Sequence, residues 1–178
     1  MRKYKLSELP EYLHITYFKI DKLVNKKQEN NMFWKPNGLY YAKGIEWLQF
    51  LKSGFGNDDI SFNDEYLFIN SDDLIIYEVK IKSNILVINS IDDLLGFGDK
   101  YKATFTKNHE LYTINEYTNF IDWDKLSKDY DGIQFNNYYK IKEDITFEKR
   151  MFKYTWFLGW DVNGGCIWNV ADVRINKI

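Results

Sequence analysis

Pro36-Asn37-Gly38-Leu39-Tyr40-Tyr41-Ala42-Lys43-Gly44-Ile45-Glu46-Trp47-Leu48-Gln49-Phe50-Leu51 sets a turn, a strand and a helix end to end. Pro-Asn-Gly is a turn signal, because proline presets φ, asparagine bonds its own backbone and glycine tolerates φ that other residues avoid. It fixes the start of a short strand over Leu39, Tyr40, Tyr41 and Ala42. Ile45, Leu48 and Leu51 then recur at helical spacing, Trp47 and Phe50 widen the apolar stripe, and Gly54 and Gly56 stand where a helix stops.

Towards the N-terminus, Tyr12 to Phe18 is aromatic or branched and reads as a strand carrying His14, while Asn25 to Asn31 reads as a mobile surface loop. Towards the C-terminus, Leu74 to Ile81 and Ile85 to Ile88 read as strands flanking a Ser83-Asn84 turn. Ser90 with Asp93 is a capping-box start for a short helix through Ile91, Leu94 and Leu95, with Gly96 and Gly98 expected to end it. Asp122 caps a helix whose Trp123, Leu126 and Tyr130 share a face, and Asp131-Gly132 turns the chain into a strand at Ile133-Gln134-Phe135. Tyr154 to Trp160 and Cys166 to Ile175 read as strands split by a hairpin at Asn163-Gly164-Gly165. Strands outnumber helices, and their alternation is too irregular for a doubly wound parallel sheet. The expectation is one mixed α+β domain over residues 1–178, long enough to bury a sizeable core.

The 24 Lys and Arg against 26 Asp and Glu leave a net charge of −2, so strong non-specific nucleic-acid binding is not expected. Lys22, Lys26 and Lys27 cluster locally and read as a solvated loop. With Cys166 the sole cysteine, an internal disulfide and a thiolate zinc cage are excluded, and a cytoplasmic, reducing compartment is the expectation. No signal-peptide or membrane-spanning apolar run occurs, so no membrane partner is expected. His14, His109 and Cys166 are too scattered for a metal site. A Cys166 nucleophile served by His14 or His109 yields to the reading of Cys166 as a small buried hydrophobe. Nucleophile elbows, Walker loops and dinucleotide glycine fingerprints are absent.

The order of segments resembles the ADP-ribosyltransferase superfamily of the His-Tyr-Glu type, in its bacterial and phage-like members. Tyr12-Leu13-His14-Ile15-Thr16 is similar to the histidine strand that holds the NAD ribose and nicotinamide amide, and Gly38-Leu39-Tyr40-Tyr41-Ala42 to the Gly-aliphatic-Tyr-aromatic-Ala strand. Ile76 to Ile81, Ile85 to Ile88 and the stretch from Asp124 to Ile133 extend the similarity from Leu13 to Ile175. It implies a split mixed β-sheet core with short flanking helices and NAD as substrate. It also implies a site in which His14, Thr16, Tyr40 and Tyr41 contact NAD, Tyr40 stacking on nicotinamide. The reaction implied is mono-ADP-ribosyl transfer to a protein or nucleic-acid acceptor. The family glutamate is not matched, since Gly165 stands at its position, with Asp161, Gln134 and Asn169 the nearest polar candidates. Asp161 and Gln134 are therefore the expected groups near the reacting ribose. The branch that takes a 2-phosphate from RNA is disfavoured, because arginine occurs only at 2, 150 and 174. The alternatives are a non-catalytic nucleotide- or protein-binding module on the same fold, or a glycan-binding or structural domain using its aromatics as platforms.

Overall fold

The computed structural model describes residues 1–29, 35–105 and 118–178. In chain order the strands are β1 (Arg2–Lys5), β2 (Tyr12–Thr16), β3 (Leu39–Lys43), β4 (Ile60–Phe62), β5 (Tyr66–Ile69), β6 (Ile75–Ile81), β7 (Ile85–Ile88), β8 (Gly132–Phe135), β9 (Gly164–Ile167) and β10 (Val173–Lys177). The helices are α1 (Glu46–Phe55), α2 (Ile91–Tyr101), α3 (Trp123–Asp129), α4 (Tyr138–Phe147) and α5 (Thr155–Leu158). The class is mixed α+β, as expected.

Seven strands form one sheet in the order β10-β6-β2-β3-β9-β8-β7, and β1-β5-β4 form a second, antiparallel sheet. In the large sheet only β7 and β8 run parallel. At its centre β2 and β3 pair at just two positions, Tyr12 with Lys43 and Leu13 with Ala42. Beyond that point β2 keeps β6 company as far as Thr16, and β3 stays with β9 as far as Leu39. The two strands part, and the sheet opens between them.

The aromatic content goes into a core beneath β8 and β9, where Phe135 meets Trp160 at 4.7 Å and Phe157 at 5.1 Å between ring centroids. Trp123 packs edge-on against Trp156 at 5.8 Å. Fully burying such side chains contributes about 1.5–3 kcal/mol each. A second, aliphatic cluster of Leu13, Leu48, Ile60, Leu67 and Ile76 joins α1 and the small sheet to the large one.

Several expectations hold. Gly56 closes α1 in the left-handed conformation at φ 63°, and Ser90 and Asp93 form the capping box of α2. Asp122 caps α3 by accepting from Lys125 N.

Others are corrected. Gly96 and Gly98 do not end α2, which runs on to Tyr101. A β-carbon on Gly98 would come within 3.0 Å of the Tyr154 ring, so close packing against that ring accounts for a glycine inside the helix. Tyr154 to Trp160 is not a strand, because Met151–Tyr154 forms a 3₁₀ turn that continues into α5. Tyr154, Trp156, Phe157 and Trp160 are nearly inaccessible while Thr155 and Leu158 are half-buried and Gly159 is exposed, a helical spacing that the run of large apolar residues masks in the sequence. Asn163-Gly164-Gly165 makes no hairpin with a preceding strand, since β9 lies between β3 and β8. Nor is the described part of the 25–31 loop loosely held. Asn25 Oδ1 accepts from Val170 N, Lys26 N donates to Trp168 O, and Gln28 is 3% exposed. His109 lies outside the described residues.

Candidate functional site

The gap between β2 and β3 is the floor of a cleft of about 340 Å³. Leu13, Ile15, Tyr40 and Ala42 line it from the two parting strands, Trp47 closes it from α1, and Trp160 with Val162 closes it from the chain before β9. Lys35 stands at its mouth, its ammonium 5.7 Å from the Tyr40 ring centroid and 5.8 Å from that of Trp160. Aromatic walls with few polar groups suit a flat heterocycle attached to a polar body.

His14 and Tyr40 both border this cleft, although strand alternation puts their side chains on opposite faces of the sheet. His14 shares the Tyr41 face and borders the cleft where β2 and β3 are no longer paired. Its Nδ1 lies 2.5 Å from the Tyr40 carbonyl oxygen, which can only accept, so Nδ1 carries the proton and donates. Burial holds the imidazole below its ordinary pKa. At neutral pH the ring is therefore uncharged, and Nε2 is left as an acceptor suited to a hydroxyl donor.

Tyr40 is fixed at both ends. Its hydroxyl donates to Pro36 O at 2.5 Å, and its ring packs against Trp160 at 5.8 Å. Burial pushes its phenol well above the usual tyrosine range, so it acts as a neutral ring and donor, not as a base.

The other expected site residues are dispersed. Tyr41 borders the cleft, but its side chain lies on the far face, edge-on to Tyr12 at 5.3 Å and donating to Gln134 Oε1 at 2.7 Å. Gln134 is 8% exposed, is not part of the cleft lining, and donates through Nε2 to Tyr12 and Asn136. Thr16 is also outside the lining, its Oγ1 accepting from Phe18 N. Asn169 is bound to Asp131 Oδ1. Asp161 is likewise outside the lining, between the cleft residues Trp160 and Val162, in a left-handed conformation, φ 69°, which aspartate tolerates better than most side chains. Its carboxyl pKa is raised by burial, an effect that Lys35 and Lys142 offset only in part.

Gly165, where the resemblance would place a glutamate, has no room for a side chain. A β-carbon there would meet Ile133 O at 2.4 Å and the Tyr41 hydroxyl at 2.5 Å. Cys166 is inaccessible and burial pushes its thiol far up, so it is no nucleophile. Among the described residues no cluster of three or more His, Cys, Asp or Glu is close enough to hold a metal ion, and no helix is long and apolar enough to cross a membrane.

Trp47, Trp160 and Lys35 are the cleft residues that sequence reasoning missed. Trp47 was legible as part of the broad apolar stripe of α1. Trp160 was hidden in a segment read as strand, and nothing local marks Lys35. The site thus defines a class, a mixed α+β domain with an aromatic, ligand-sized cleft where its main sheet parts. No protein-family model, curated protein or solved structure matches the chain.

Proposed function

We propose that the cleft binds NAD and that the protein is a mono-ADP-ribosyltransferase acting on a protein or nucleic-acid acceptor. The observation that carries this reading is that His14 and Tyr40, 26 residues apart in sequence, border one cleft and are joined by the Nδ1 to carbonyl hydrogen bond. The cleft is sized for nicotinamide and its ribose rather than for the whole dinucleotide. In this reading the nicotinamide ring lies on Tyr40 near Trp160, and the neutral Nε2 of His14 accepts from a ribose hydroxyl. The bond from ribose C1′ to the nicotinamide nitrogen breaks with its electron pair leaving on nicotinamide. The acceptor's nucleophile bonds to C1′ and loses its proton. Positive charge that builds on the ribose calls for a carboxylate, and Asp161, flanked by two cleft residues, is the acid assigned to that task.

A second reading, a module that binds the nucleotide without turnover, is favoured by one observation: Gly165 excludes any glutamate at the expected position. Incubation of the full chain with labelled NAD and cell lysate separates the two. Label transfer or nicotinamide release supports the transferase. Saturable NAD binding without either selects the module, and no NAD binding at all overturns both.

A further inference from the structure

A second concavity adjoins the cleft and shares Lys35 and Tyr40 with it. It is an open basin of about 770 Å³, bordered by Lys26, Lys27, Lys35, Pro36 and Asn37, with no acidic residue among the described residues of its lining. Among the described residues none of the three ammonium groups lies within ion-pair distance of a carboxylate. Burial lowers the Lys35 pKa, and Asp161 is the carboxylate that opposes this.

The basin is held in shape by a buried polar clamp. Gln28 Nε2 donates to Lys26 O at 3.0 Å and to Asn37 O at 2.7 Å, and Gln28 Oε1 accepts from Asn37 N at 3.0 Å. Both ends of one buried amide therefore tie the Lys26–Lys27 segment to the turn that starts β3. Lys26 N to Trp168 O and Val170 N to Asn25 Oδ1 anchor the same segment from the other side. Three cations bordering one concavity give it a positive potential that favours entry of an anion.

We propose that this basin is a phosphoryl-binding site, taking a diphosphate or phosphoester joined to the group that occupies the aromatic cleft. Lys35, shared by the two concavities, bridges the phosphoryl group and the ring-bearing part of one ligand. The inference deepens the NAD reading, in which the phosphoryl group is the dinucleotide's diphosphate, but its test does not require NAD.

The test titrates the full chain with inorganic pyrophosphate, with sulfate as a control anion, and follows heat and the thermal midpoint. The variants are the surface double change Lys26→Gln/Lys27→Gln and, separately, Gln28→Leu, which keeps all three lysines but releases the clamp. The expected result is saturable pyrophosphate binding in preference to sulfate, weakened about 10-fold or more by the double change and several-fold by Gln28→Leu, with circular dichroism unchanged. Non-saturable binding, equal response to sulfate, or a double variant that titrates like the parent overturns the proposal. The NAD arm keeps the two readings apart. Pyrophosphate binding without NAD binding leaves the basin standing and removes the NAD assignment. NAD binding that is unchanged in the double variant removes the basin and leaves the NAD assignment.

Discussion

The Tyr41 hydroxyl and the Gln134 side-chain oxygen meet at 2.7 Å across Gly165, on the face of the sheet away from the cleft. Their bond fills the space that a residue-165 side chain would need. Gly165→Ala is therefore expected to destabilise the fold by about 1–3 kcal/mol or more through overpacking. Adding Tyr41→Phe is expected to recover only part of this, because the Ile133 carbonyl remains in the way. Urea unfolding midpoints measure both, and an alanine variant as stable as the parent would refute the packing account.

Tyr40 separates ring from hydroxyl. Tyr40→Phe keeps the cleft wall and loses the bond to Pro36 O, so it is expected to cost about 1 kcal/mol of stability while NAD affinity stays within a few-fold. Tyr40→Ala removes the platform, and at least a 10-fold loss of NAD affinity is expected. Calorimetric titration of both variants decides this. Equal affinities in the two would show that the ring carries no ligand.

His14 sets a pH dependence. Burial lowers its pKa in the folded protein below the ordinary 6.5, so below that pH the unfolded chain binds more protons. Stability is therefore expected to fall as pH drops through 6.5 towards the lowered folded value, and to be independent of His14 above 6.5. NAD binding should weaken over the same window, because an imidazolium has no acceptor at Nε2. Subtracting the urea-midpoint curve of His14→Gln from that of the parent between about pH 5 and 8 cancels the carboxylates. A flat difference would contradict the assignment.

Asn163 holds the cleft's rear wall. Glu46 accepts from its backbone N at 2.8 Å and from its Nδ2 at 2.9 Å, while its Oδ1 accepts from Tyr138 N at 2.7 Å. One residue thus joins the starts of α1 and α4 to the chain between the cleft residues Val162 and Gly164. Asn163→Ala strips Glu46 of a partner and leaves the Tyr138 N–H unmet, so a loss of about 2–4 kcal/mol is expected. A denaturation midpoint within error of the parent's would show that the tie is idle.

What could be read in advance follows the range of the signal. Gly56, Ser90 with Asp93, and Asp122 act within one helical turn of their own positions, and each was legible. Strands β6, β7 and β8 announced themselves by branched residues next to turn formers. Helix α4 was legible but went unread, since its buried Tyr138, Ile141 and Ile145 stand at i, i+3 and i+7 among charged residues. Strand β1 draws its identity from a distant partner, as when Arg2 faces Ile69, whereas β4 and β5 pair as a local hairpin from Ile60↔Ile69 to Phe62↔Leu67. The cleft was legible in His14 and Tyr40 alone. Trp160 and Lys35 join it through tertiary placement, and the blocked state of Gly165 depends on a tyrosine and a carbonyl from two other strands.

Asp161 offers the sharpest separation of binding from chemistry. Its left-handed backbone is tolerated by asparagine, so Asp161→Asn removes the charge while keeping shape and φ, whereas Asp161→Ala adds backbone strain of about 1 kcal/mol. If its carboxylate steadies the ribose as nicotinamide departs, Asp161→Asn should lower kcat for nicotinamide release about 10- to 1000-fold with little change in KM, because the charge it opposes exists only in the transition state. Loss of the negative charge beside Lys35 should, if anything, tighten binding of a phosphate-bearing ligand. A variant with unchanged kcat would remove Asp161 from the reaction. A rise in KM alone would make it a binding residue and return the Gly165 gap to the foreground as the mark of a domain that holds its nucleotide without cleaving it.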